Sequence, residues 1–177
     1  MFPPVPFVVA LLVAIAAGLL DWRYRRIPNW LTVSGALLGL ATNTALYRGP
    51  GLKSALLGLG LGLALLLPLV FLRAIGPGDW KLSGALGACL GVHPFIAVIE
   101  LTVFVAGIMA LGLVIARHRL KQTLINIVHI VGALFSLRMP GPDVSLDNPA
   151  SAKIPWGVAL ALATILYVIA AALGKSL

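Results

Sequence analysis

The chain has 177 residues, of which 60% are hydrophobic and only 10% charged. Soluble domains carry about 45–50% apolar residues, and a single core of this size has no room for the excess. A soluble enzyme, a disordered tail and a disulfide-stapled secreted scaffold are excluded, the last because Cys89 is the only cysteine.

The first apolar run, 5–20, ends at Asp21-Trp22-Arg23-Tyr24-Arg25-Arg26. Its basic residues follow the run instead of preceding it, which predicts a retained helix and not a secretory signal. Ile27-Pro28-Asn29 predicts a turn and a fresh helix start, with a second span over 30–46. A polar turn, Tyr47 to Lys53 with Gly49-Pro50-Gly51, leads to a third span over 52–72, which Pro68 is expected to kink. Gly35 with Gly39, Gly58 with Gly62 and Gly87 with Gly91 are small-residue pairs of the kind that let helices approach closely in lipid. In so glycine-rich a chain they identify no particular contact.

Arg73-Ala74-Ile75-Gly76-Pro77-Gly78-Asp79-Trp80-Lys81 precedes a short fourth span over 82–92. His93-Pro94 is read as the turn into a fifth span over 95–116, closed by the basic stop Arg117-His118-Arg119-Leu120-Lys121. Gln122, Asn126 and His129 recur at helical spacing and predict an amphipathic helix at the interface over 122–137. A loop follows over 138–154, with Pro140, Pro142 and Pro149, and then a sixth span over 155–173. Six crossings at about 20 residues each account for about 120 residues. The predicted fold is all-α: one polytopic membrane domain of about six transmembrane helices, with its N-terminus outside.

The net charge of +8 would suggest nucleic acid in a soluble protein. Here it reads as topology, with no nucleic-acid partner. Arg23, Arg25, Arg26, Arg73, Lys81, Arg117, Arg119, Lys121, Arg138 and Lys153 fall on the inner side, and Arg48, Lys53 and Lys175 on the outer. That distribution follows the positive-inside rule.

With only five carboxylates in the chain, each can be weighed singly. Asp21 and Asp79 both fall where an apolar helix meets the cytoplasmic boundary, where ionisable groups are costly enough to suggest function. A carboxylate pair can hydrolyse a peptide bond, the ionised member taking a proton from water while the neutral member protonates the carbonyl oxygen. Repulsion and low dielectric split the two pKa values, and the pair titrates as a unit. Gly76 and Gly78 would let an extended peptide lie close beside Asp79, and Pro77 stiffens the turn. Asp21 by itself, beside Arg23 and Arg25, reads as an interfacial ion pair. Asp79 by itself reads either way. The two at one depth point to chemistry.

Lys81 either orients Asp79 and lowers its pKa or snorkels to headgroups; Lys153 faces the same choice. Glu100, the one carboxylate inside a span, is expected to pair with His93. Asp143 and Asp147 read as solvated, Cys89 as packing, and His93, His118 and His129 as no metal-ligand pattern. No cofactor is called for. Two rivals stay open: a small proton- or cation-coupled transporter using Asp21, Asp79 and Glu100, and a non-enzymatic scaffold of a secretion or pilus machine.

Asp21-Trp22-Arg23-Tyr24-Arg25-Arg26-Ile27-Pro28-Asn29 resembles the Asp-x-x-x-x-x-Ile-Pro-Asn signature of type IV prepilin peptidases. Gly76-Pro77-Gly78-Asp79-Trp80-Lys81 resembles their Gly-x-Gly-Asp-x-Lys block, and Pro155-Trp156-Gly157-Val158-Ala159 the opening of their last span. The resemblance implies an aspartic endopeptidase of the cytoplasmic membrane that cuts basic leaders from prepilins or pseudopilins on the cytoplasmic side. Asp21 and Asp79 would be its catalytic pair, with Gly76, Gly78, Lys81, Pro28 and Asn29 in support. The chain begins at its first span and lacks paired cysteines, so it looks like the short Tad/Cpa-type subgroup serving Flp-like pili, without methyltransferase activity. Pro77, Trp80 and Trp156 depart from the family's usual residues. A homo-oligomer stays open.

Overall fold

The computed structural model describes residues 4–71, 75–116, 125, 128 and 155–174. Apart from Ile125 and Val128, the predicted interfacial helix over 122–137 and the loop over 138–154 lie outside the described residues. So do Arg73, His118, Lys153 and Lys175. The described elements are all helical: α1 (Val5–Tyr24), α2 (Asn29–Phe71), α3 (Pro77–Leu90), α4 (Val92–Ala116) and α5 (Trp156–Ala172). Three of them, α1, α2 and α4, are long and apolar enough to cross a membrane, and α5 is a shorter apolar helix.

As a straight rod the 43 residues of α2 would reach roughly 65 Å, about twice the hydrocarbon thickness of a bilayer. Arg48 prevents this: its backbone leaves the helical region (φ 53, ψ −134) and divides α2 into two limbs. Contacts with α3 give the direction of each limb. On the first, Gly35 lies against Ala85 and Gly39 against Cys89, so the two chains run the same way. On the second, Gly58 lies against Gly87 and Gly62 against Ser83, so they run opposite ways. The limbs are therefore antiparallel and flank α3. The polar turn expected over Tyr47 to Lys53 contracts to one non-helical residue. Pro50 falls in the first turn of the second limb, where a proline is tolerated. The second limb continues as helix through Pro68 to Phe71.

The glycine pairs thus have a defined use. At Gly58 and Gly87 a methyl group would collide with the facing backbone carbonyl, and at Gly62 with the carbonyl of Ser83. Close approach of this kind replaces the hydrophobic drive that lipid cannot supply. α3 is the centre of the arrangement, with every residue from Leu82 to Leu90 buried. At 14 residues it is roughly 21 Å long, short of a full crossing.

Asn43 fixes the far end of α3. Its Nδ2 donates to the carbonyls of Ala88 (3.0 Å) and Cys89 (2.9 Å), which the helix itself leaves open at its last turn. The chain then reverses at Gly91, which adopts φ 75. His93 and Pro94, expected to form this turn, instead lie inside the first turn of α4. Glycine wins here because the reversal needs a positive φ that histidine and proline resist.

The shared core takes Ala10, Val13, Ala14 and Ala17 from α1, Leu82 and Leu86 from α3, Phe95 and Val98 from α4, and Leu160 and Ala163 from α5. Large apolar side chains such as Leu12, Leu19, Leu37, Phe104, Ile108 and Leu111 face outward. That distribution matches a chain solvated by lipid and not by water.

Candidate active site

The buried face of α1 repeats every three to four residues, through Ala10, Val13, Ala14, Ala17 and Gly18, and Asp21 is its next member. Helical periodicity therefore carries a carboxyl into the interior, where Asp21 is only 6% exposed. α1 ends three residues later, at Tyr24. Arg25 adopts a left-handed conformation (φ 54, ψ 31), and its N–H donates to the Asp21 carbonyl at 3.0 Å.

Asp79 reaches the same place from α3. Gly76 is the N-cap, Pro77 opens the helix and Asp79 is in its first turn. The Asp79 carboxyl folds back toward the Gly76 N–H, the acidic half of a capping box. Glycine at 76 leaves room for this: a methyl group there would sit 3.2 Å from Asp79 Oδ2, so the carboxyl would have to shift by a few tenths of an ångström. Gly78 has a different use. A methyl group on it would meet Ile27 Cβ at 3.2 Å and the Ile27 carbonyl at 3.3 Å, so its absence lets the start of α3 lie against the link between α1 and α2.

The two carboxyls line one cavity of about 420 Å³, together with Arg25, Arg26, Ile27, Asn29, Gly76, Pro77, Gly78 and Lys81. Asp79 lies ahead of the fully buried part of α3, and its pKa is pushed up to about 7. Burial is the largest cause and the charge of Asp21 the second, while the Gly76 and Gly157 N–H groups pull the other way. The two carboxyls therefore interact, and Asp79 holds its proton to higher pH than an isolated aspartate does.

The chain matches the type IV leader peptidase family over residues 8–115. It belongs to that family. No curated protein and no solved structure matches it. The matched segment contains both aspartates, so this leader peptidase family member carries its carboxylate pair inside the family's own span.

Of the supporting residues expected in this family member, Gly76, Gly78, Asn29 and Lys81 line the cavity, while Pro28 stands outside it. Pro28 belongs to the turn, its carbonyl accepting the Leu31 N–H at 3.2 Å. Lys81 forms no ion pair with Asp79 among the described residues. Its Nζ donates to Asn29 Oδ1 at 2.9 Å, tying α3 to the start of α2 across the cavity. Trp80, unusual in its block, donates from Nε1 to the Leu63 carbonyl at 2.7 Å and ties α3 to the second limb of α2. Glu100 and His93 are both exposed on α4, and the expected pair between them does not form among the described residues.

Two contributors went unassigned in the sequence. Ile27 is buried between Gly78 and Gly157 and joins the elements that carry the carboxyls. Gly157, at the start of α5, directs its N–H at both Asp21 and Asp79. Both residues stand in blocks that the sequence singled out, Ile27-Pro28-Asn29 and Pro155-Trp156-Gly157, yet nothing in their spacing says that the blocks meet.

Proposed function

We propose that this protein is an aspartic endopeptidase that removes short basic leaders from type IV or Flp-like prepilins or pseudopilins at the cytoplasmic face of the inner membrane. One observation carries the reading: Asp21 and Asp79, from separate helices, share one cavity in which Asp79 keeps its proton up to about pH 7. A singly protonated pair is what water-mediated peptide hydrolysis requires. The ionised carboxyl takes a proton from water as the oxygen attacks the scissile carbonyl carbon. The neutral carboxyl gives its proton to the carbonyl oxygen, and a tetrahedral diol forms. Collapse of the diol breaks the C–N bond as a proton passes to the leaving nitrogen, and the pair returns to its starting charge. Acid and base roles belong to the pair and not to either residue.

The membrane placement follows from charge and aromatic residues. Six crossings with the N-terminus outside bring the ten inner basic residues to the cytoplasm. Trp22, Tyr24 and Trp30 stand exposed around the ends of α1 and α2 beside the cavity, where amphipathic rings favour an interface. There the carboxyls have water, while the substrate's apolar helix remains in lipid. A methyltransferase step forms no part of the reading. Exposed on α4 outside the cavity, Glu100 gives a transport path no third carboxylate beside the pair.

The test is co-expression with a small Flp-type prepilin. The wild-type protein shortens the precursor, and Asp21→Asn and Asp79→Asn each leave it full length. Continued processing by both variants would overturn the assignment.

A further inference from the structure

The start of α5 has an unusual environment for a helix end. Its N-cap is Pro155, which offers no side chain to the first N–H groups, so these remain open to an outside acceptor. The acceptor they face is Asp21. The N–H groups of both Gly157 and Val158 are directed at its carboxyl, yet Asp21 Oδ2 closes no hydrogen bond among the described residues although the side chain is buried. Contact is close because residue 157 lacks a side chain. A methyl group there would sit 3.0 Å from Asp21 Cβ, 3.0 Å from Asp21 Oδ2 and 3.0 Å from Ile27 Cδ1. The Gly157 N–H also faces Asp79.

We infer that Gly157 is a positioning residue for the carboxylate pair: its bare backbone seats the α5 N-terminus against Asp21 and presents one N–H to both carboxyls, setting their separation and orientation. This role rests on the catalytic reading above and extends it to a segment beyond the family match, which ends at residue 115. A backbone donor is suited to the task. It has no rotamers to lose, and the helix dipole behind it favours whichever carboxyl is ionised.

Gly157→Ala is the direct probe, and Gly18→Ala is its matched control. A methyl group at Gly18 would meet Ala161 Cβ at 2.7 Å, so that variant strains the same seam between α1 and α5 a turn away from the carboxyls. Both are assayed in detergent on a synthetic single-span precursor with a basic leader. For Gly157→Ala, kcat falls roughly 10–100-fold with little change in KM, the expected cost of misplaced reacting groups. Its pH–activity profile moves to higher pH, because the displaced amide no longer favours the ionised form. The charged groups facing the pair, Arg25 and Arg26 beside α1 and Lys81 on α3, are untouched by this change. Gly18→Ala lowers the thermal midpoint while its pH profile stays in place.

If Gly157→Ala does not fold, the double variant with Ile27→Val carries the test, since valine lacks the Cδ1 that meets the new methyl group. A Gly157→Ala or double-variant profile that coincides with that of wild type would overturn the positioning role while leaving the peptidase reading intact. Full activity in Asp21→Asn and Asp79→Asn would instead remove the pair itself and the role with it.

Discussion

The end of α1 and the start of α3 each deliver an aspartate to the same cavity, but from opposite ends of a helix. Asp79 lies in a first turn, where the helix dipole favours a negative charge, and Asp21 in a last turn, where it does not. Helix position alone would make Asp79 the more readily ionised of the two. Its pKa is nevertheless pushed up to about 7 by burial first and by Asp21 second. Asp21 draws its compensation first from the N-terminus of α5 and then from the charge of Arg25, the C-cap of its own helix. The protonation of this site is therefore decided by what packs against each helix end, since local dipoles weaken within a turn while desolvation acts on the whole carboxyl.

The strongest way to break this comparison is to remove either carboxyl. Asp21→Asn and Asp79→Asn are each expected to lower leader cleavage on the order of 10²–10⁴-fold or more, read from precursor shortening over time. Gly58→Ala ranks next and tests the scaffold instead of the site. The new methyl would meet the Gly87 carbonyl, and overpacking of this kind costs about 1–3 kcal/mol. Its effect should appear as a lowered thermal midpoint in detergent.

A sharper test of the coupling uses pH. Since Asp79 carries a raised pKa, cleavage should fall as pH rises through about 7, where the neutral carboxyl loses its proton. Asp21→Asn removes the second cause of that rise and leaves the first. The Asp79 titration, followed by carbon-13 NMR of its carboxyl, should move below the wild-type value yet stay above the ordinary 3.8. A titration unchanged from wild type would show that Asp21 does not act on Asp79. The smallest effect is expected for Lys81→Met. The bond to Asn29 is exposed, so its loss should cost under about 1 kcal/mol of stability, read as a small drop in the thermal midpoint.

Much of the scaffold was legible in the sequence because its signals are local. The apolar runs, the break at Ile27-Pro28-Asn29 and the helix start at Pro77 follow from lipid solvation and from what proline does to its own backbone and its neighbour's. The turn before α4 differs from its local signal: His93-Pro94 marks a turn in the sequence, but the reversal needs a positive φ, and Gly91 supplies it. The polar stretch from Tyr47 to Lys53 suggests a loop, whereas one residue with φ 53 suffices, with Gly51 bare where a side chain would meet the Asn43 carbonyl. For the same reason the glycine pairs were visible without their partners. That Gly35, Gly39, Gly58 and Gly62 meet α3, which itself carries Gly87, is a statement about separate segments, and no spacing within one segment contains it.

By itself, then, the sequence determined the class of molecule and its two informative aspartates, because a shortage of charge in a lipid-solvated chain makes each carboxylate conspicuous. The tertiary structure alone decided that those carboxyls share a cavity. It seated Ile27 between Gly78 and Gly157, set Lys81 on Asn29 instead of Asp79, and brought the start of α5 to Asp21 across more than 130 residues of chain. Such contacts depend on which helix faces pack together. That choice is made by close backbone approach at glycine and by the need of buried polar groups for partners, neither of which a single segment can express.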